Sequence, residues 1–192
     1  MTVTGVVLAA GGSRRLGRPK QSLPFRGRTL LDATLDVARA CGFDELLVTL
    51  GGSAAEVRAT VSLAGVRVIE NPEFSSGCGS SVRTTVGFLS DSSDTLVLLL
   101  GDQPLVRPAD VRRLIAAEGQ VGVCRYTDGP GHPFLFRRPV FGELSTLHGD
   151  KAVWRLLHSG RYPVTEIDCA GTVPIDVDTI DDYERLLSLE HS

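Results

Sequence analysis

The chain has 192 residues, a length that suits one domain with a full core. Its composition is that of an ordinary globular protein, 42% hydrophobic and 22% charged, and a formal net charge of −3 excludes a global basic footprint for nucleic acid. Any anion site must therefore be local. Cys41, Cys78, Cys124 and Cys169 are widely separated, with neither a CxxC pair nor zinc spacing, so reduced thiols in a cytoplasmic protein are expected. The opening MTVTGVVLAAGG lacks a basic n-region and a signal-length apolar core, and no apolar run approaches the ~20 residues of a membrane helix.

In chain order, Val3–Ala9 is the first predicted strand. It runs directly into LAAGGSRRLGRPK, residues 8–20, where Gly11, Gly12 and Gly17 mix with Arg14, Arg15, Arg18 and Lys20. The glycine spacing is not GxGxxG, and Arg18-Pro19 stands where a Walker A loop needs Lys-Ser/Thr. What remains is a flexible basic turn after a strand, suited to phosphate: glycines let backbone N–H groups come close, and arginine and lysine supply charge.

Helical periodicity follows in LLDATLDVARAC, then a strand Glu45–Leu50, the helix SAAEVRATV and a strand Val66–Glu70. Ser53 with Glu56 reads as a capping box. The helix SSVRTTVGFL begins at Ser80-Ser81, read either as N-caps or as nucleotide contacts. Asn71, extended before Pro72, either ends a strand or meets the nucleotide.

The apolar strand Thr95–Leu100 ends in Gly101-Asp102-Gln103-Pro104, which places Asp102 at the carboxyl edge where parallel sheets bind ligands. A carboxylate beside a phosphate site calls for Mg²⁺, which is held by one or two carboxylates plus phosphates. The helix PADVRRLIAAE has a tolerated first-turn proline, Pro108, and the strand Val121–Tyr126 follows. Then come a strand GHPFLF, short helices PVFGEL and DKAVWRLLHSG, a strand YPVTEID, the segment VPIDVD and the helix TIDDYERLLSLE. As a strand, VPIDVD would put Asp176 and Asp178 on one face as further metal ligands; alternatively Asp178 or Thr179 only caps the last helix. Alternating strands and helices predict an α/β fold, a mostly parallel sheet covered on both faces, in one domain over residues 1–192.

Together these motifs resemble the molybdenum-cofactor nucleotidyltransferase family, in its cytidylyltransferase branch. Residues 8–20 match LAAGxSxRMGxxK, with Leu16 in place of Met, and Asn71-Pro72, Gly77 and Ser80-Ser81 match NPxxxxGxxSS. Asp102-Gln103-Pro104 matches DQP, Gly131-His132-Pro133 matches GxP and Asp176-Val177-Asp178-Thr179 matches DxDT. The resemblance implies a Rossmann-like nucleotidyltransferase fold, with a nucleotide held by Leu8, Ala9, Ala10, Gly11, Gly12, Ser13, Arg15, Lys20, Asn71, Gly77, Ser80 and Ser81. It implies catalytic roles for Arg15, Lys20 and Asp102, with Mg²⁺ on Asp102 and on Asp178 or Asp176. Ala10, where guanylyltransferases usually have glycine, implies CTP over GTP. The implied acceptor is the terminal phosphate of molybdopterin, and the product would pass to an apo-molybdoenzyme. Trp154 stands where the family's GDxGAR segment has its basic residue, with Arg155 next to it, and these two with His132 are the acceptor-side candidates; alternatively Trp154 packs in the core and His132 only shapes a turn. Two other readings remain: a relative using GTP or another phosphate acceptor, and a carrier that binds nucleotide or cofactor without chemistry.

Overall fold

Strand β1 (Thr2–Ala9) is an interior strand of a seven-stranded sheet, and its residues alternate between two cores. Val3, Val7 and Ala9 face one core while Val6 and Leu8 face the other, so the strand is buried on both sides and reads as a continuous apolar run. The structure, a computed structural model, describes residues 1–13 and 15–189.

The chain continues through a hairpin of β2 (Pro24–Phe25) and β3 (Arg28–Thr29), helix α1 (Leu30–Arg39), β4 (Glu45–Leu50), α2 (Ala54–Thr60) and β5 (Arg67–Glu70). Next come α3 (Cys78–Val86), β6 (Ser93–Leu100), α4 (Pro108–Ala116), β7 (Val121–Tyr126) and β8 (Gly129–Arg137). Helices α5 (Phe141–Leu144) and α6 (Ala152–Leu157), strand β9 (Val164–Asp168) and helix α7 (Ile180–Ser188) complete it. The order across the sheet is β5-β4-β1-β6-β8-β7-β9. The β5-β4, β4-β1, β1-β6 and β7-β9 pairs are parallel, and β8 runs antiparallel to both β6 and β7. The sheet is thus mostly parallel and mixed, as expected.

Helices α1, α2 and α4 send Leu31, Leu35, Val57, Val111 and Leu114 into one core. From α3, α5 and α6 come Val82, Leu144, Val153, Leu156 and Leu157 for the other. A smaller cluster of Leu23, Phe25, Leu30, Val177, Tyr183 and Leu186 anchors α7 beside the hairpin. Among the described residues no helix is long and apolar enough to cross a membrane.

Three local expectations are corrected. Ser53 precedes α2 but makes no side-chain cap, because its backbone (φ −98°, ψ 16°) is not the extended one that aims a cap oxygen at the first turn. The capping boxes are instead Thr29–Asp32 on α1 and Thr179–Asp182 on α7, where the threonines are extended. Helix α3 starts two residues before Ser80, behind Gly77, so neither serine is its N-cap. Residues 173–178 form no strand; the shared-face argument for Asp176 and Asp178 fails, and irregular backbone brings them to the sheet edge.

Candidate active site

The site is assembled at the carboxyl ends of β1 and β6, which are adjacent and parallel. Beyond β1 the basic loop leaves and returns in a short 3-10 turn, Lys20–Ser22. Ser13, at positive φ, accepts a hydrogen bond on Oγ from the Lys20 backbone N–H (2.9 Å) and closes the loop. Gln21 is buried beneath it and donates Nε2 to the carbonyls of Ala9 (2.6 Å) and Gly11 (3.3 Å). Leu8, Ala9 and Ala10 are buried, Gly11, Gly12 and Arg15 are exposed, and Arg14 lies outside the described residues.

Beyond β6, Asp102 is buried. Its Oδ2 accepts from Lys20 Nζ at 2.7 Å and from the Val177 backbone N–H at 2.9 Å. Lys20 Nζ also reaches Asp178 Oδ1 at 3.1 Å, and Arg15 Nη1 lies 3.9 Å from Asp178 Oδ2. Residues 15, 20, 102 and 178 therefore meet in one place. Burial alone would lower the Lys20 pKa, but the charges of Asp102 and Asp178 outweigh it and hold the ammonium above its ordinary value.

Asp176 sits beside this group rather than in it. Its Oδ1 accepts from Gln103 Nε2 at 2.7 Å, and the same Nε2 donates to the Pro174 carbonyl at 3.0 Å. Desolvation first, then the neighbouring Asp102 charge, pushes the Asp176 carboxyl up to about 6. Carboxylates thus outnumber the cations holding them, which is the electrostatic signature of a place for more positive charge. Two oxygens already converge on a single cationic nitrogen, that of Lys20, as hard oxygen donors converge on a divalent ion. The residues fit such an ion with two protein carboxylates. No three-residue His, Cys, Asp or Glu cluster exists among the described residues, so phosphates and water would complete the shell.

On the β4–β5 side, Gly51, Glu70, Asn71, Pro72 and Phe74 line a cavity of about 300 Å³. Asn71, Ser80 and Ser81 are all buried beside it, and their side chains are committed to one another: Asn71 Nδ2 donates to Ser80 Oγ (2.9 Å) and Ser81 Oγ (3.0 Å). Ser80 Oγ donates in turn to the Glu73 and Gly77 carbonyls. This network shapes the cavity wall. Gly77, at φ +101°, is needed for another close approach: a Cβ there would sit 2.6 Å from Asp150 Oδ1 and 2.7 Å from the Asp150 backbone nitrogen.

On the β8 side the His132 ring packs 3.8 Å from Phe134 and meets Trp154 edge-on at 6.5 Å. Burial drives the His132 pKa down to about 3, so this imidazole is neutral and supplies no charge to an acceptor. Lys151, Trp154, Arg155 and His158 line a second cavity of about 480 Å³ on α6, and the Arg155 guanidinium is tied to the His148 carbonyl. These acceptor-side candidates cluster with one another, His132 against Trp154 and Trp154 with Arg155 along the second cavity.

The sequence reading missed Gln21 and Gly51. Gln21 directly follows Lys20, and only its burial reveals its clamp on the loop. Gly51 follows β4, and a Cβ there would overlap the Ala10 carbonyl and Phe74, a close approach that the glycine pair after a strand signals.

Comparison with known proteins agrees with this geometry. The family model described as MobA-like NTP transferase domain matches residues 5–164. Nicotine blue oxidoreductase of Paenarthrobacter nicotinovorans is 36% identical over 199 residues, covering 96% of each chain. The crystal structure of Rv0371c from Mycobacterium tuberculosis H37Rv superposes with a TM-score of 0.93 at 55% identity, covering 98% of each chain. A second Rv0371c structure, a complex with manganese, gives 0.87 at 53% identity over 98% of this chain and 99% of that one. A nucleotidyl transferase from Methanothermobacter thermautotroptrophicus gives 0.82 at 26% identity, over 100% and 99%. With the basic loop and Asp102 meeting at one sheet edge and 160 consecutive positions matching the family model, the chain belongs to the MobA-like NTP transferase family and is a nucleotidyltransferase.

Proposed function

We propose that the chain, acting as one nucleotidyltransferase domain in the cytoplasm, transfers CMP from CTP to the terminal phosphate of a molybdopterin-type acceptor and releases pyrophosphate. The observation that carries this reading is the contact of Lys20 with both Asp102 and Asp178 below the glycine loop. The acceptor phosphate oxygen bonds to the α-phosphorus of CTP, the bond from that phosphorus to the β-phosphate oxygen breaks, and pyrophosphate carries away the electron pair. A phosphate monoester is mostly ionised at neutral pH, so no general base is required. Lys20 and Arg15 hold the triphosphate and meet the charge that develops on the departing pyrophosphate. Backbone N–H groups between Ala10 and Ser13 approach the phosphates, and the cavity beside Asn71, Gly77, Ser80 and Ser81 takes the nucleoside.

Asp102 and Asp178 are the residues that would hold Mg²⁺ or Mn²⁺, with Asp176 alongside; a bound cation neutralises phosphate charge there. The manganese complex of the 53%-identical Rv0371c supports a divalent metal of this kind. His132, Trp154 and Arg155 border the acceptor side, and the product is handed to an apo-molybdoenzyme.

The test is incubation with each NTP, Mg²⁺ and molybdopterin, scoring pyrophosphate and the product mass. CMP-bearing product with CTP is expected; preference for GTP, or for another phosphate acceptor, refutes the specificity. Asp102→Ala separates an enzyme from a carrier, since a carrier would bind and deliver without Asp102. A second reading comes from nicotine blue oxidoreductase, a relative aligned over almost the whole chain. If this chain is likewise an oxidoreductase, it transfers electrons and releases no pyrophosphate.

A further inference from the structure

Two buried side-chain polar atoms lack a hydrogen-bond partner among the described residues, Gln21 Oε1 and Gln103 Oε1. Each glutamine is 2% exposed. Each directly follows one member of the Lys20–Asp102 ion pair. The amide orientations are fixed by their neighbours: Gln21 Nε2 donates to the Ala9 and Gly11 carbonyls, and Gln103 Nε2 to the Pro174 carbonyl and Asp176 Oδ1. Turning either amide over would set oxygen against oxygen, so the orphan is the carbonyl end in both.

A buried acceptor without a partner weakens a fold, and native proteins keep few of them. Here both occur one residue from the charged pair, and in both the opposite end of the amide holds a segment that nothing regular supports. At Gln21 that segment is the glycine loop. With the Ala9 and Gly11 carbonyls turned to Gln21 and the Lys20 N–H fastened to Ser13, the loop is pinned at both ends. At Gln103 it is the irregular stretch 174–178, whose other ties to the site are the Val177 N–H on Asp102 and Asp178 on Lys20 and Arg15.

We propose that Gln21 and Gln103 are paired positioning residues, Gln21 setting the glycine loop for a nucleoside triphosphate and Gln103 setting the 174–178 carboxylates for a divalent cation. What each half binds rests on the nucleotidyl-transfer reading above. The division of labour follows from which segment each amide holds. Neither glutamine touches reacting atoms; each acts through the groups that it places.

The experiment measures equilibrium binding of CTP alone, by calorimetry, and of Mn²⁺ alone, by its paramagnetic resonance, to the full chain. Gln21→Met is expected to weaken CTP about 10-fold while leaving Mn²⁺ unchanged, because misplacing a binding loop slightly loses its alignment with the ligand. Gln103→Met is expected to weaken Mn²⁺ about 10-fold and leave CTP unchanged, the usual scale for a residue that orients metal ligands. Gln21→Asn and Gln103→Asn, one methylene shorter with the amide kept, carry the same expectations where a methionine variant does not fold. Wild-type affinity for both ligands in both variants overturns the proposal. So does a parallel loss of both ligands that tracks the drop in thermal stability, the mark of a merely structural role. Pyrophosphate release by the wild type is scored separately: a protein that binds CTP and Mn²⁺ without ever releasing pyrophosphate refutes the transfer reaction and leaves the positioning result standing.

Discussion

Lys20 Nζ lies 2.7 Å from Asp102 Oδ2, although 82 residues separate them in the chain. The lysine side chain is 17% exposed and the aspartate 6%, so the pair is largely shielded from water. Lys20→Met leaves Asp102 without its cation, which is expected to cost about 3–5 kcal/mol of stability, read by urea unfolding. Because the two carboxylates raise the Lys20 pKa, its stabilising effect is complete below about 10.5, the unfolded value. It is lost as pH rises through the higher folded value, and the variant lacks this alkaline loss. Turnover should fall by about 10²–10³, the cost of removing one charge-stabilising donor.

The same lysine competes with a metal. Its ammonium stands between Asp102 and Asp178, so Lys20→Met should bind Mn²⁺ about 10-fold more tightly than wild type even as it loses turnover. Titration of Mn²⁺ without nucleotide measures this, and a weaker or equal affinity refutes the competition.

Much of this arrangement was legible in the sequence. The run Thr95–Leu100 places Asp102 at a carboxyl edge, and Lys20 follows a glycine turn at the end of the neighbouring strand. Parallel pairing of β1 and β6 does the rest. The fold class was legible for the same reason, since strands buried on both faces are apolar throughout. What could not be read is what irregular backbone decides. Residues 173–178 look alternating, yet Gln103 and Asp102 hold them as a loop through the Pro174 carbonyl and the Val177 N–H. Asn71, Ser80 and Ser81 have the composition of ligand contacts, and only their mutual hydrogen bonds show that they build a wall. The hairpin Pro24–Thr29 went unread because two-residue strands carry no periodicity; its turn is visible only in the positive φ of Arg26 and Gly27.

Gly51→Ala tests the cavity on the β4–β5 side. The new methyl group would overlap the Ala10 carbonyl and Phe74, and the carbonyl, being backbone, cannot swing aside. Displacing Ala10 moves the start of the glycine loop. Nucleotide affinity is expected to fall about 100-fold, the scale of a 1 Å misplacement, with the protein still folded. Calorimetry with CTP checks the affinity and circular dichroism the fold.

The thiols should be inert. Desolvation pushes Cys41 up to about 12 and raises Cys78, Cys124 and Cys169 as well, which leaves little thiolate at neutral pH. A thiol reagent such as dithionitrobenzoate at pH 7.5 should label the native protein slowly and all four cysteines at once after unfolding in guanidinium. Rapid labelling of the native chain at Cys41, Cys124 or Cys169 would contradict the burial of these side chains.

His132 governs an acid transition. Its folded pKa is about 3 because burial disfavours the imidazolium, whereas an unfolded histidine titrates near 6.5. Between these values the unfolded chain binds a proton that the folded chain refuses, so stability is fully present above about 6.5 and declines as pH falls toward 3. On the order of 2–3 kcal/mol should disappear across that window, a discounted figure for a ring that keeps some contact with solvent. His132→Gln, uncharged at every pH, should flatten the decline without changing the midpoint of pyrophosphate release against pH. Unfolding by urea at pH 7.5, 5.5 and 4.5 reads the difference: wild type and variant converge as the pH falls if the neutral ring is the cause. Parallel curves would assign the acid transition to groups other than His132, such as the Asp32 and Asp182 carboxylates that hydrogen bonds hold below their ordinary value.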